Sequence, residues 1–255
     1  MKLSIVIPAK NEERFLPKLL ASIRDQSFSD YEVIVADASS TDRTREIAAS
    51  FGARVVDGGM PGPGRNRGAE VAQGQLILFL DADVILPHQN FLNESIAEIE
   101  GHGLDIATCR VAPLEGNATD DFLHEIYNLY AIATEKIIPH APGFCLFATM
   151  EAHRRIHGFD ERVVFAEDHD YAMRAHKGGL AFGVLRGHRV GVSVRRLEKE
   201  GRLKFAIKYL YAELHIRLRG PMKDKMPFTY EFANYELADL KETKDAPSED
   251  HESVV

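Results

Sequence analysis

The triplet Asp81-Ala-Asp83 directly follows five apolar residues, Leu76-Ile-Leu-Phe-Leu80. At the end of an extended strand, residues i and i+2 point the same way, so two carboxylates are presented together. Such a pair suits a hard cation such as Mg2+ or Mn2+. The cation would bridge a diphosphate and neutralise a departing phosphate. The same triplet also serves as a plain turn or cap after a strand. Asp37 leaves a second apolar run, Glu32–Ala36, and is followed by Ala-Ser-Ser-Thr-Asp42. A carboxylate there can accept from a base N–H or a ribose hydroxyl, and the serines can donate to phosphate. Its bland counterpart is a turn in which Asp42 caps the next helix. Asn11 and Glu12, at the exit of the first apolar run, could serve ribose in the same way or simply start a polar helix.

Two further groups carry chemistry. Arg65-Asn-Arg67 follows the glycine-rich stretch 58–64. A guanidinium at a helix start can bind an anion, or the arginines can be solvated on a surface loop. Glu167-Asp168-His-Asp170 opens a predicted helix, where acids are favoured electrostatically in any case. The functional reading is a general base that takes the proton of an acceptor hydroxyl. Burial and neighbouring like charge would raise its pKa into a useful range. The eleven histidines contain no His-Glu-x-x-His pattern. His153 and His176 read as packing or surface residues, and His188 is a minor option near a metal. No Gly-x-Ser-x-Gly and no Walker A lysine motif occurs, which leaves acyl hydrolysis and P-loop chemistry without support.

These residues need elements to position them. Leu3–Ile7 reads as a buried strand stopped by Pro8, 12–25 as a helix, Glu32–Ala36 as a strand and 43–50 as a helix. Ala53–Val56, Gln75–Leu80, Asp105–Val111, Gly143–Thr149, 180–185 and 189–194 read as strands; 65–73, 119–137 and 167–177 read as helices. The stripe on 119–137 is Phe122, Ile126, Leu129, Ile132 and Ala133. Strands alternating with helices imply right-handed crossovers and a mostly parallel sheet. Such sheets bind ligands at the C-terminal ends of their strands. The segments 8–12, 37–39 and 81–83 fall there.

The chain of 255 residues carries 31 Lys and Arg against 39 Asp and Glu, a net of −8, which argues against nucleic acid as a partner. Its 45% hydrophobic content is that of a globular domain. Two cysteines without Cys-x-x-Cys spacing suit a reducing cytoplasm. No targeting segment and no run of about 20 apolar residues is visible, so a cytoplasmic protein is expected, at most peripheral on the inner face of a membrane. Residues 195–225 hold ten Arg and Lys and four acids, while 239–255 hold six acids and two lysines. The acidic tail is expected to be disordered.

In this order, the pieces Ser4-Ile-Val-Ile-Pro-Ala-Lys-Asn-Glu12, Val33-Ile-Val-Ala-Asp-Ala-Ser-Ser-Thr-Asp42, Gly64-Arg-Asn-Arg-Gly68, Leu80-Asp-Ala-Asp83, Gly158-Phe-Asp-Glu161 and Ala166-Glu-Asp168 resemble the family 2 glycosyltransferases. The resemblance implies a GT-A fold: α/β, with a Rossmann-like, mostly parallel central sheet flanked by helices, and here a helical C-terminal extension. It implies transfer of one sugar from a UDP- or GDP-sugar to a hydroxyl, with inversion. Pro8, Ala9, Glu12 and Asp37 would line the nucleoside site, and Arg65 would lie near the base or diphosphate. Asp81 and Asp83 would hold ribose and metal, and Asp168 would be the catalytic base. The family's Pro-x-Tyr-Asn-Glu is Pro-Ala-Lys-Asn-Glu here. The Gln-x-x-Arg-Trp of processive synthases is missing, which favours a single transfer over polymer synthesis. A nucleotidylyltransferase and a non-catalytic sugar-nucleotide-binding protein are the rival readings. The expected layout is a catalytic domain over 1–194 (donor lobe 1–100, acceptor lobe 101–194), a helical extension over 195–238 and the tail.

At about 100° per residue, the segment 198–219 carries two apolar stripes. One is Leu203, Ile207, Leu210, Leu214 and Leu218; the other is Phe205, Tyr209, Ala212 and Ile216. Lys204, Lys208, His215 and Arg219 lie on one flank. A helix packed on its own domain needs one stripe. The second would meet residues 226–238, a second subunit in a homodimer, or an anionic membrane presenting a lipid-linked acceptor.

Overall fold

The computed structural model describes residues 3–59, 61–114, 116–195, 197 and 201–223, apart from the side chains of 203, 205, 206 and 217. The order of elements is β1 (Leu3–Ala9), α1 (Leu16–Arg24), β2 (Tyr31–Asp37), α2 (Thr44–Ser50), β3 (Arg54–Asp57), α3 (Pro61–Val71), β4 (Leu76–Leu80), β5 (Val84–Ile85) and α4 (Phe91–His102). There follow β6 (Ile106–Leu114), α5 (Ala118–Thr134), β7 (Cys145–Thr149), α6 (Met150–Arg155), β8 (Val163–Phe165), α7 (Glu167–Lys177), β9 (Phe182–Ser193), α8 (Arg202–Arg219) and β10 (Met222–Lys223).

The main sheet has the order β3-β2-β1-β4-β7-β6-β9-β5, and β10 pairs with β8. Strands β1, β2, β3, β4, β6 and β9 run one way; β7 and β5 run against them. Both faces are covered, which is why the strands read as unbroken apolar runs. Leu76, Leu78 and Leu80 of β4 enter one core layer, and Ile77 and Phe79 enter the other. The chain leaves β1 for β2 and β3 on one side, then returns with β4 on the other. This switch point opens a crevice beyond the ends of β1 and β4.

Several expectations change. Strand β1 runs through Pro8 to Ala9, whose partner is Asp37; proline removes a donor, but its fixed φ suits an extended chain. Helix α1 starts only at Leu16. The stretch 58–64 is not all loop, because α3 begins at Pro61 and contains Gly62 and Gly64. Close packing explains two of the helix's glycines: a Cβ on Gly64 would stand 3.2 Å from Pro8 Cβ, and one on Gly68 2.2 Å from Val6 Cγ1. The segments 180–185 and 189–194 join as one strand, β9, with a register shift opposite Cys109 and Arg110. The stripe Phe122, Ile126, Leu129 on α5 faces outward, and the helix buries Asp120, Asn128 and Ala131 instead. On α8 Ala212 packs inward with Phe165 and Met222, while Ile207, Leu210, Leu214 and Leu218 are exposed. The segment 226–238 and the acidic tail lie outside the described residues.

Candidate active site

One edge of the sheet gathers the polar groups. Chain direction places there the ends of β1, β2, β4 and β9 and the start of β7. At the end of β1, Ala9 is buried, and the Glu12 N–H donates to Thr44 Oγ1 at 2.8 Å. Arg195 grips the Glu12 carboxylate through Nη2 to Oε1 at 2.8 Å and Nη1 to Oε2 at 3.2 Å. Burial raises the Glu12 pKa; Arg195 opposes this, and Asp83 and Asp81 add to it. Arg195 Nε also lies 3.1 Å from Asp83 Oδ2, and its guanidinium sits 4.5 Å over the Phe15 ring. A cavity of about 70 Å³ beside this contact is lined in part by Phe15, Asp83 and Ser193. A larger one, about 330 Å³, is lined by Asn66, His153 and His157 and contains none of these acids; the chemistry, not the volume, locates the site.

At the end of β2, Asp37 is 1% exposed. Its Oδ2 accepts from the Ser40 N–H at 3.0 Å and from Arg45 Nη1 at 3.1 Å. Its Oδ1 is buried with no hydrogen-bond partner. A buried carboxylate oxygen in that state is a ready acceptor for a ligand N–H or hydroxyl. Asp42, rather than capping α2 from the N-cap position, accepts from Thr44 N at 2.9 Å, and the cap residue itself is Arg43.

Arg65 is the centre of the other half. It lies inside α3, not in a loop, and is 2% exposed. Nη1 donates to Glu167 Oε1 at 2.6 Å; Nη2 donates to Asp81 Oδ1 at 2.8 Å and to the Gly143 carbonyl at 3.2 Å. Burial works against its charge, but Asp81, Glu167 and Asp168 outweigh burial and raise its pKa. Its neighbour Asn66 accepts from Phe159 N at 2.8 Å and donates to Glu161 Oε1 at 3.0 Å. The segments 64–68 and 158–161 therefore bind each other, and α3 joins the first half of the chain to the second.

Asp168 opens α7 after Ala166, which takes the left-handed conformation at φ 55°. Its Oδ2 accepts from the Gly143 N–H at 2.5 Å and its Oδ1 from the His169 N–H at 2.8 Å. Burial raises its pKa, and Arg65 pulls the other way. Glu167 is raised by burial too, with Arg65 opposing. A Cβ on Gly143 would stand 2.4 Å from Arg65 Nη2 and 3.1 Å from Asp168 Oδ2, so a side chain there would displace the clamp. His169 beside it is pushed down to about 3, chiefly by burial. His188 pairs with His88 and Glu94 instead of meeting the aspartates.

Thus Glu12, Asp37, Asp81, Asp83 and Asp168, with Pro8 and Ala9, line one edge; Arg195 links Glu12 to Asp83, Arg65 links Asp81 to Glu167 beside Asp168, and Arg45 holds Asp37. Sequence reasoning missed Arg195, Glu167 as the partner of Arg65, and Gly143. Arg195 had a signal: it follows a strand that ends on the ligand edge.

A mostly parallel α/β sheet with an acid pair at the switch point and a second pair across it defines the GT-A class. Solved structures share this fold. The mannosyltransferase PcManGT of Pyrobaculum calidifontis, in complex with GDP-Man and Mn2+, superposes with a TM-score of 0.67 at 18% identity, over 86% of this chain and 70% of that one. Staphylococcus aureus TarS 1-349 in complex with UDP-GlcNAc gives 0.64 at 20% identity, over 89% and 68%. The sequence pattern described as glycosyl transferase family 2 matches residues 4–157, and the chain belongs to that family. Among curated relatives, the poly(ribitol-phosphate) beta-N-acetylglucosaminyltransferase TarS of S. aureus is 26% identical over 196 residues, 72% of this chain and 34% of the relative. The glycosyltransferase AglE of Haloferax volcanii is 34% identical over 113 residues, 40% of this chain and 37% of the relative. The chain thus spans about a third of the length of these curated relatives.

Proposed function

We propose that this chain transfers one sugar from a UDP- or GDP-sugar to an acceptor hydroxyl, with inversion, on Asp168 as base. The observation that carries this reading is the Arg65 clamp, which fastens Asp81 to Glu167 beside Asp168. Pro8, Ala9, Glu12 and Asp37 take the nucleoside, with the unpartnered Asp37 Oδ1 accepting from the base or ribose. Asp168 removes the proton of the acceptor hydroxyl as that oxygen attacks the anomeric carbon. The bond from that carbon to the diphosphate breaks on the opposite face, and the electron pair leaves with the diphosphate. A pKa raised by burial makes Asp168 a better proton acceptor than an ordinary carboxylate. The paired oxygen donors Asp81 and Asp83 fit Mg2+ or Mn2+. That ion, when bound, supplies positive charge to the diphosphate.

The Asp168→Asn variant keeps size and loses the basic oxygen. Nucleoside diphosphate release should fall by roughly 10²–10⁴, with donor affinity nearly intact. An equal loss of donor binding would place Asp168 in the donor site instead.

For the acceptor we favour a lipid-linked hydroxyl presented at the cytoplasmic face of an anionic membrane. Among the described residues no helix is long and apolar enough to cross a membrane. Helices α5 and α8 are joined by Arg202 to Asp120 at 2.7 Å and Tyr130 to Glu213 at 3.2 Å. Both turn apolar rows outward: Phe122, Ile126 and Leu129, and Ile207, Leu210, Leu214 and Leu218. Lys204, Lys208 and Arg219 flank the second row. Apolar insertion and about 1 kcal/mol per basic residue would hold such a face on anionic lipid. Co-sedimentation with anionic vesicles at low salt should be lost when Lys204, Lys208 and Arg219 become Glu. Unchanged sedimentation overturns the reading, and a concentration-dependent mass would assign the face to a homodimer.

A further inference from the structure

Behind Asp168 lies a second cluster that sugar transfer does not require. His140 comes from the segment between α5 and β7, His169 from the first turn of α7 and Glu213 from α8. One ligand atom from each lies within 4.8 Å of the others. His140 Nε2 is 3.3 Å from Glu213 Oε1, and the two imidazoles meet edge to face at 4.5 Å between centroids. The Tyr130 hydroxyl completes the group, 3.0 Å from His140 Nε2 and 3.2 Å from Glu213 Oε1. His140 is 3% exposed.

The Tyr130 hydroxyl has one proton and donates to only one of His140 and Glu213 at a time. His140 turns Nε2 toward Glu213 and Tyr130, and its Nδ1 is buried with no hydrogen-bond partner. Two imidazoles and one carboxylate are a different donor set from the all-oxygen pair Asp81 and Asp83. Two nitrogens and one oxygen match three-ligand zinc sites, which keep a fourth position for another oxygen.

We propose that His140, His169 and Glu213 bind a zinc ion, or another borderline divalent transition ion, with the Tyr130 hydroxyl at or beside the fourth position. Ligands at about 2.0–2.1 Å from a tetrahedral ion lie about 3.3 Å apart. The His140–Glu213 pair already has that spacing, so binding needs only side-chain adjustment, chiefly at His169. The ion pins α8 to the first turn of α7. His169 follows Asp168 directly, and its Nε2 lies 4.0 Å from Asp168 Oδ1. The site therefore has a positioning role: it fixes the helix that carries the base. The inference stands on its own geometry and does not depend on the sugar-transfer reading.

Zn2+ titration of the full chain by calorimetry tests it, with Co2+ as a coloured substitute. One ion per chain should bind at this site, and Co2+ should give the visible band of a four-coordinate nitrogen and oxygen site. Glu213→Gln, a near-isosteric change on α8, should weaken Zn2+ at least tenfold and remove the band, as should His140→Ala. The exposed cluster His88, Glu94 and His188 is the competing zinc site. His88→Ala should leave the Co2+ band in place. Mn2+ binding in the presence of UDP or GDP should be unchanged by Glu213→Gln, which separates this site from the aspartate pair. Absence of Zn2+ binding, binding indifferent to Glu213→Gln, or a band lost with His88→Ala each overturns the proposal. If His140→Ala fails to fold, the Glu213→Gln result decides alone.

Discussion

Arg65 and Arg195 do the same geometric job in opposite settings. Each links two carboxylates at the ligand edge: Arg65 joins Asp81 to Glu167, and Arg195 joins Asp83 to Glu12. The Arg65 side chain is 2% exposed and the Arg195 side chain 32%. Arg65 has the Gly143 carbonyl as a third partner and a ring, Phe159, 5.4 Å away. Water can reach Arg195, so its charge interactions are partly screened. The buried guanidinium holds the two lobes in register, whereas the half-buried one can be loosened at modest cost. Fixed geometry thus lies beside Asp168, and adaptability lies beside Glu12 and Asp83.

The largest difference should appear when each is removed. Arg65→Met keeps much of the stem but leaves Glu167, Asp168 and Asp81 without their cation. Breaking a buried pair this way costs about 3–5 kcal/mol, readable as a shift in the urea midpoint at pH 8. The loss should shrink in acid. Glu167 and Asp168 already have raised pKa values, from burial. A carboxylate whose native pKa lies above its unfolded value binds more protons when folded, so it favours folding at low pH and opposes it as pH rises through the native pKa. Without Arg65 those values climb further, and the variant should recover much of its stability as pH falls through them. Asp120, held by hydrogen bonds from Arg202 at about 2, behaves oppositely. Its contribution is present above the ordinary carboxylate value and fades as pH falls toward 2. A penalty for Arg65→Met that grows in acid would show that the clamp's worth is not electrostatic.

Arg195→Met should cost less, about 1–2 kcal/mol, because Glu12 can respond by taking up a proton. Its more telling effect is on cation binding. Asp83 and Glu12 lose a neutralising charge, so Mn2+ affinity in the absence of nucleotide should rise, by roughly threefold to tenfold for one partly screened unit of charge nearby. Weaker Mn2+ binding in this variant would mean that Asp83 does not face the ion.

How much of this was legible depended on sequence distance. The strand ends were readable because both sheet faces are buried and the apolar runs of β1, β2 and β4 stop where the acids begin. The start of α3 was not: Gly58-Gly-Met-Pro-Gly-Pro-Gly64 has the composition of a loop, and the packing that asks for glycine on that helix is long-range, a Cβ on Gly64 standing 3.2 Å from Pro8 Cβ and one on Gly68 2.2 Å from Val6 Cγ1. The stripe on α5 was seen correctly as apolar, yet it faces out, because Asp120 and Asn128 hold the inner face through Arg202 and the backbone of Val111. Periodicity finds a face and does not say which way it turns. Arg195 and Glu12 are 183 residues apart, and nothing local in either segment announces the pairing. His140 and Glu213 are hidden for the same reason.

The smallest effect sharpens the comparison at Asp168. Ala166 sits at φ 55°, ψ 42° as the N-cap of α7 and makes no side-chain cap. The left-handed region costs an L-residue roughly 1–2 kcal/mol, and alanine is a poor N-cap next to glycine. Against these stands the methyl group, packed on Phe165 and Met222 and worth about 0.8 kcal/mol if fully buried. Ala166→Gly should therefore stabilise the protein slightly, by about 0.5 kcal/mol in urea unfolding. Turnover should hold or fall slightly, since glycine permits the turn without enforcing it. Local strain of this kind persists where the surroundings impose it; here the two Gly143 contacts, to Asp168 and to Arg65, impose it from the segment between α5 and β7. Destabilisation by more than about 0.5 kcal/mol would mean that methyl packing outweighs the strain, and that the turn before Asp168 is held by the small core around Phe165 and Met222, not by the buried clamp.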